Sequence, residues 1–201
     1  MINFPTNCLV NKFIPKKIFY EKINLSNNLK NDFVNYIDKI IWLYKLSEST
    51  IGISKTEKIC EIEVFQINLK VKEIPKKIIG VITKIIEYPI LFVFKYNNDF
   101  CYSVKLEDVY YSDWNDNIIF DLEAINLQVL YEKIIKKIIT KEENAKNLQN
   151  IIIENKRKKE LECKINNLVS KIKKEKQFNK KVELNLELQK LNKEMEVYNN
   201  E

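Results

Sequence analysis

From Asp121 to Glu201 the chain contains neither glycine nor proline, and this stretch ends in two leucine-spaced segments of opposite charge. A third of a chain without helix breakers is committed to helices that must bury a stripe against another helix, and it offers little from which to build a catalytic pocket. Leu161, Ile165, Leu168 and Ile172 are spaced four, three and four; Leu184, Leu188, Leu191, Met195 and Tyr198 are spaced four, three, four and three. Each set is a heptad seam by itself. Extending the first seam lands on Glu175, Asn179, Val182 and Leu186, so the second lies about two residues out of register. Regular coiled coils absorb insertions of three or four residues, so a slip of two marks a break. Gln177-Phe178-Asn179 is where the turn would fall, since Asn tolerates the left-handed conformation. Charge agrees: Lys156–Lys181 holds eleven basic and three acidic residues, net +8, and Val182–Glu201 two basic and five acidic, net −3. Two architectures fit, a helical hairpin, favoured narrowly, and one continuous helix with solvated charges. In either, two heptads bury too little to be stable alone, so the seam needs the other arm, a second copy or a partner.

Ahead of this arm the pattern is mixed. The opening segment to Leu25 predicts extended pieces with a short helix after Pro15. Ser26 reads as an N-cap for a helix carrying Leu29, Phe33, Ile37, Ile40, Ile41 and Tyr44, ending before Ser47. Thr50-Ile51-Gly52-Ile53 reads as a short extended link. Alternation from Ile59 to Val71 predicts a half-buried strand, with a phase shift at Phe65-Gln66 that signals a bulge. Pro75 is placed as the first residue of a helix that Pro89 stops. Ile90–Tyr96, a turn at Asn97-Asn98-Asp99 and Phe100–Leu106 form a hairpin, and Val109-Tyr110-Tyr111 adds a strand. From Asp121 the period turns helical: Leu127, Leu130, Ile134, Ile135 and Ile138 form an apolar face for packing on the sheet, and Leu148, Ile151 and Ile152 continue it. Glu154–Glu160 is an exposed stretch of helix or a joint. The expected fold is α+β: a small, mostly antiparallel sheet packed with helices over residues 1–140, and a long C-terminal helical arm, hairpin or short coiled coil, over 141–201.

The chain has no histidine, which removes the Ser-His-Asp triad, the Cys-His dyad, His-ligated zinc and histidine general-base catalysis together. Cys8, Cys60, Cys101 and Cys163 are too dispersed for a zinc site or a disulfide framework and are expected to pack as small hydrophobes. Gly52 and Gly80 are the only glycines, so no phosphate-cradling loop exists. The longest apolar runs are strand-length and no secretory signal opens the chain, so a cytoplasmic protein is expected. The net charge of +6 is carried by Lys, with Arg157 as the only arginine. Lys is a point charge without the bidentate fork that reads bases, so any nucleic-acid contact would be nonspecific. Lys156, Arg157, Lys158, Lys159, Lys173 and Lys174 are the candidates for it, against the alternative of an ordinary solvated helix face.

One enzymatic alternative can be tested on the residues, a divalent-metal nuclease of restriction-endonuclease-like type using Glu61, Glu63 and Lys70. Where such a site wants acid-x-Lys the chain has Asn68-Leu69-Lys70, and an amide is a poor metal ligand, so the site would be degenerate. Exposed charges on the wet face of a strand are the simpler expectation. Asp113, Asp116, Asp121 and Glu123 cluster around Trp114, with Asp121 expected to cap the next helix. Trp42 is expected on a helix face, packed in the core.

The run Lys174–Asn185, followed by Leu188 and Leu191, resembles the C-terminal signature of a bacterial family of unknown function, domain of unknown function 4391. Ile14-Pro15-Lys16-Lys17, Trp42–Ser47 with Thr50, Glu73–Lys77 and Tyr88–Phe92 also resemble it, so the likeness spans most of the chain. The family carries no established catalytic residues to transfer. What the resemblance implies is a setting, beside restriction-modification and helicase genes of phage-defence type. The expected function is a non-enzymatic accessory or scaffold protein, without catalytic residues, metal or cofactor. It would bind a protein partner (a helicase, methyltransferase or restriction subunit) or a second copy through Leu161, Ile165, Leu168, Ile172, Leu184, Leu188, Leu191 and Met195, away from any membrane.

Overall fold

The computed structural model describes residues 2–23, 25–140 and 147–200, in two compact units, 1–144 and 145–201. A 3-10 turn at Thr6–Cys8 leads into strand β1 (Leu9–Phe13), then helices α1 (Lys17–Lys22) and α2 (Asn27–Tyr36). Ser26 caps α2 as expected, its hydroxyl accepting from the Leu29 amide at 3.4 Å. The helix nevertheless stops at Tyr36, because Ile37–Ser47 is a strand, β2, paired antiparallel with β3 (Glu61–Leu69).

The helical spacing of Ile37, Ile40, Ile41 and Tyr44 has a physical origin in that pairing. Ile37 faces Leu69 and Lys39 faces Asn68; Trp42 faces Phe65 and Tyr44 faces Val64. Each step leaves one residue of β2, Asp38 and Leu43, without a counterpart. These two bulges put the buried positions at 37, 40, 44, 46 and 47, of which the first three imitate a helical period. The irregularity expected near Phe65-Gln66 therefore lies on the facing strand. After β2 a short helix α3 (Glu48–Ile51) replaces the expected extended link; Ser47 and Thr50 close it in a capping box and Gly52, at φ 69°, ends it left-handed.

From β3 the chain crosses through α4 (Lys76–Ile85) to β4 (Ile90–Tyr96), which lies parallel to β3; the helix begins one residue later than expected, with Pro75 as its N-cap. Hairpin β4–β5 (Asp99–Lys105) turns at Asn97-Asn98 with Asn97 at φ 52°, and β6 (Val109–Tyr111) completes a six-stranded sheet ordered β1-β2-β3-β4-β5-β6. Among the described residues only the β3–β4 pair is parallel. The fold is α+β.

Both faces of the sheet are covered. Phe65, Ile67, Phe92 and Phe94 pack in one core with Phe33 of α2 and Ile78, Ile79 and Ile82 of α4. On the opposite face lie Val64, Leu91, Val93 and Tyr102, and helix α5 (Leu127–Thr140) packs against β3, β5 and β6, burying Leu127, Leu130, Ile134, Ile135 and Ile138. β3 is therefore buried on both sides, not half-buried, as expected of a strand in a parallel pair flanked by helices. Asn126, not Asp121, caps α5, its side chain accepting from the Val129 amide at 2.9 Å. Asp121 forms an Asx turn with the Glu123 amide and an ion pair with Lys137 at 3.3 Å.

The second unit comprises α6 (Leu148–Lys174) and α7 (Phe178–Asn200) packed on each other as a helical hairpin. Leu148, Ile151 and Ile152 open α6 and do not prolong α5. The junction expected between 140 and 141 borders 141–146, which lie outside the described residues.

Candidate functional site

The turn between α6 and α7 forms without glycine or proline. Glu175 leaves the helix with ψ 131°, and its carboxylate accepts from the backbone amides of Lys176 and Gln177, both at 2.8 Å. Those bonds, with Lys180 nearby, hold the Glu175 carboxyl below the usual range. The break thus falls at Glu175–Gln177, slightly before the expected Gln177–Asn179, and Phe178 already belongs to α7.

Folding back explains the register slip. Leu168 and Leu184 stand eight residues either side of Lys176, Leu161 and Leu191 fifteen either side, so one seam is met by the other. Leu161 and Leu168 are buried, and Ile165, Ile172, Leu184, Leu188, Leu191 and Met195 are half-buried; the Tyr198 side chain lies outside the described residues. The residues read as a partner-binding seam therefore line the inside of the hairpin.

Another apolar row remains on α7. Phe178 is 78% exposed and Leu186 55%, with Val182 exposed between them. At 100° per residue these three fall within about 80° of one another and roughly 150° from the inner seam, on the side of α7 turned away from α6. Both faces of α7 thus carry apolar side chains, a pattern that no single heptad describes.

Charge is less segregated than the sequence halves imply, because the turn falls early. α6 carries eight basic and three acidic residues, whereas α7 carries four of each. The apolar seam, more than arm-to-arm attraction, holds the hairpin. Lys156, Arg157, Lys158 and Lys159 occupy one turn of α6 and point around it in all directions; Lys173 and Lys174 lie about 26 Å further along. The six do not form one continuous patch.

In the first unit, Glu61 and Glu63 come together on β3, but Lys70 does not join them. The Trp42 indole Nε1–H donates to the Glu63 carboxylate, and Lys45 pairs with Glu61. Glu63 is 4% exposed, not on a wet face. Burial, opposed by the Trp42 bond and aided by the neighbouring Glu61 charge, pushes its carboxyl up to about 7. Trp42 itself sits on β2 rather than on a helix. Lys70, seven residues beyond Glu63 along the strand and so about 23 Å away, donates to the Val34 carbonyl at 2.8 Å. Asn68 turns to the opposite face and bonds Gln66 at 2.8 Å. Glu63 and Lys70 therefore cannot serve one water or one ion. Among the described residues no group of three or more acidic or cysteine side chains is placed to hold a metal ion. Cys8 and Cys101 are buried as expected, with burial raising the Cys101 thiol to about 11, while Cys60 and Cys163 are exposed.

The cue for the Glu63 environment was present as Lys45 and Glu61, but only the pairing of β2 with β3 brings them together. Among the described residues no helix is long and apolar enough to cross a membrane. No curated protein and no solved structure matches the chain. A family described as Domain of unknown function (DUF4391) matches residues 2–195, and with nearly the whole chain inside that match, the protein belongs to this family.

Proposed function

We propose that this chain is a non-enzymatic accessory protein that binds a protein partner through its C-terminal helical hairpin, with the α+β unit as the body that carries it. The exposed row Phe178, Val182 and Leu186 supports this reading: the inner seam holds the hairpin shut, and the outer row remains as a helix-sized apolar strip. Lys181 and Glu183 flank the strip on its two sides, which suits an amphipathic partner helix with charged margins of both signs. The setting we propose is a bacterial restriction-modification or phage-defence system in the cytoplasm, with a helicase, methyltransferase or restriction subunit as partner. The separation of Glu61 and Glu63 from Lys70 weighs against the nuclease alternative.

Co-expression with a helicase, a methyltransferase and a restriction subunit of such a system tests the proposal. Replacing Phe178, Val182 and Leu186 with serine should abolish co-elution while far-UV helicity is retained. Co-elution unchanged by the triple substitution refutes the assignment of this strip.

A further inference from the structure

A cleft of about 570 Å³ opens in the first unit where three segments meet: the end of α2, the β3–α4 loop with the first turn of α4, and β6 with the residues after it. It lies beyond the carboxyl end of β3, the end at which parallel strands of α/β folds place their ligands, and its volume is that of a small-molecule site. Its walls alternate rings and ammonium groups. Lys72 Nζ stands 5.3 Å from the Trp114 ring centre and Lys76 Nζ 5.5 Å from that of Tyr111, which is 47% exposed. Lys72 is also held at 2.6 Å by Asp99 on β5, so its position is anchored. Lys77 adds a third cation; Asp32 and Glu73 bring two carboxylates to the rim.

We infer that this cleft binds a nucleotide unit, its base stacked on Trp114 or Tyr111 and its phosphate met by Lys72, Lys76 and Lys77. Aromatic faces accept any base, because every base has a π-face, and adjacent ammonium groups supply the charge that a phosphate needs. The start of α4 adds the positive end of a helix dipole on the same side. Asp32 and Glu73 are hydrogen-bond acceptors for exocyclic amines or sugar hydroxyls. No arginine lines the cleft, so recognition is of a base and phosphate, not of a sequence. The inference is independent of the hairpin, which contributes no residue to it.

Quenching of tryptophan fluorescence and anisotropy of labelled probes test it on the full chain, with ATP, oligo-dT and oligo-U as separate arms. Saturable binding of either oligonucleotide but not ATP identifies a single strand as the source; binding of ATP identifies a free nucleotide. In both cases Trp114→Ala should weaken binding at least 10-fold, the loss of one stack. Lys76→Glu, an exposed change that leaves the core intact, should weaken binding most at low salt and flatten its salt dependence, because one phosphate contact is lost. Tyr111→Phe, which keeps the ring, should retain it. Absence of binding in all arms overturns the inference. So does binding that survives both Trp114→Ala and Lys76→Glu, or that is lost only on charge reversal at Lys156, Lys158 and Lys159.

Discussion

The indole N–H of Trp42 on β2 donates to the carboxylate of Glu63 on β3, across a strand pair whose register is displaced by the bulge at Leu43. Trp42 faces Phe65 and Lys45 faces Glu63, so the bulge brings a ring, a buried acid and a cation to one spot. Glu63 is hydrogen-bonded and lies near an ion pair, yet burial dominates and its proton is held to about pH 7.

An acid with a folded pKa above its unfolded value stabilises the fold fully below about pH 4.5, and that contribution is lost as pH rises through about 7. Wild-type stability should therefore fall between pH 5 and pH 8 by on the order of 2 kcal/mol from this site. Glu63→Gln keeps an acceptor for Trp42 and removes the titration. Urea unfolding at several pH values should show the difference between wild type and variant changing between about pH 4.5 and pH 7 and levelling off above about 7; a constant difference would contradict the assignment.

The two glycines should respond with opposite signs. Gly52 sits at φ 69° with open space where a methyl group would project, so Gly52→Ala is penalised by backbone strain alone, about 1 kcal/mol. Gly80 lies inside α4 with equal room, and Gly80→Ala should stabilise by up to about 1 kcal/mol through helix propensity. Thermal unfolding of the two variants checks both.

Leu168 is buried in the hairpin. Leu168→Ala should destabilise it by about 2–3 kcal/mol, the cost of a core truncation with partial collapse. Far-UV helicity should drop at a lower temperature than near-UV signals from the sheet unit. A Leu168→Ala hairpin with unchanged melting would show that the inner seam contributes little.

Thiol titration under native conditions should reveal two fast groups, Cys60 and Cys163, and two that react only after unfolding, Cys8 and Cys101. Burial raises the Cys101 thiol to about 11, which suppresses its thiolate at neutral pH. Rapid modification of all four would contradict the packing around β5.

The Ser26 cap, the Asn97-Asn98 turn and the apolar face of Leu127–Ile138 were legible because each depends on neighbours within one or two turns of chain. Ile37–Ser47 was not. Its buried positions follow from two residues that β3 leaves unopposed, and that mismatch is a property of the pair. The same applies to Glu63: alternation placed it on a strand, but whether that face met water depended on α4, the β3–β4 pairing and the bulge that brings Trp42 near. The hairpin was legible from the two-residue slip between seams. Its turn was misplaced because a carboxylate, Glu175, ended the helix instead of an Asn, and the charge contrast between arms shrank accordingly.

The sequence by itself determined an α+β chain without histidine chemistry and with a tail of paired heptads, since composition and short-range periodicity act through local backbone preference. Tertiary structure alone decided which strand faces were dry, where the bulges fell, which side of α7 remained exposed and that Lys72, Lys76, Tyr111 and Trp114 share a cleft. Those outcomes depend on contacts between segments far apart in the chain, and strand register and helix packing settle them jointly.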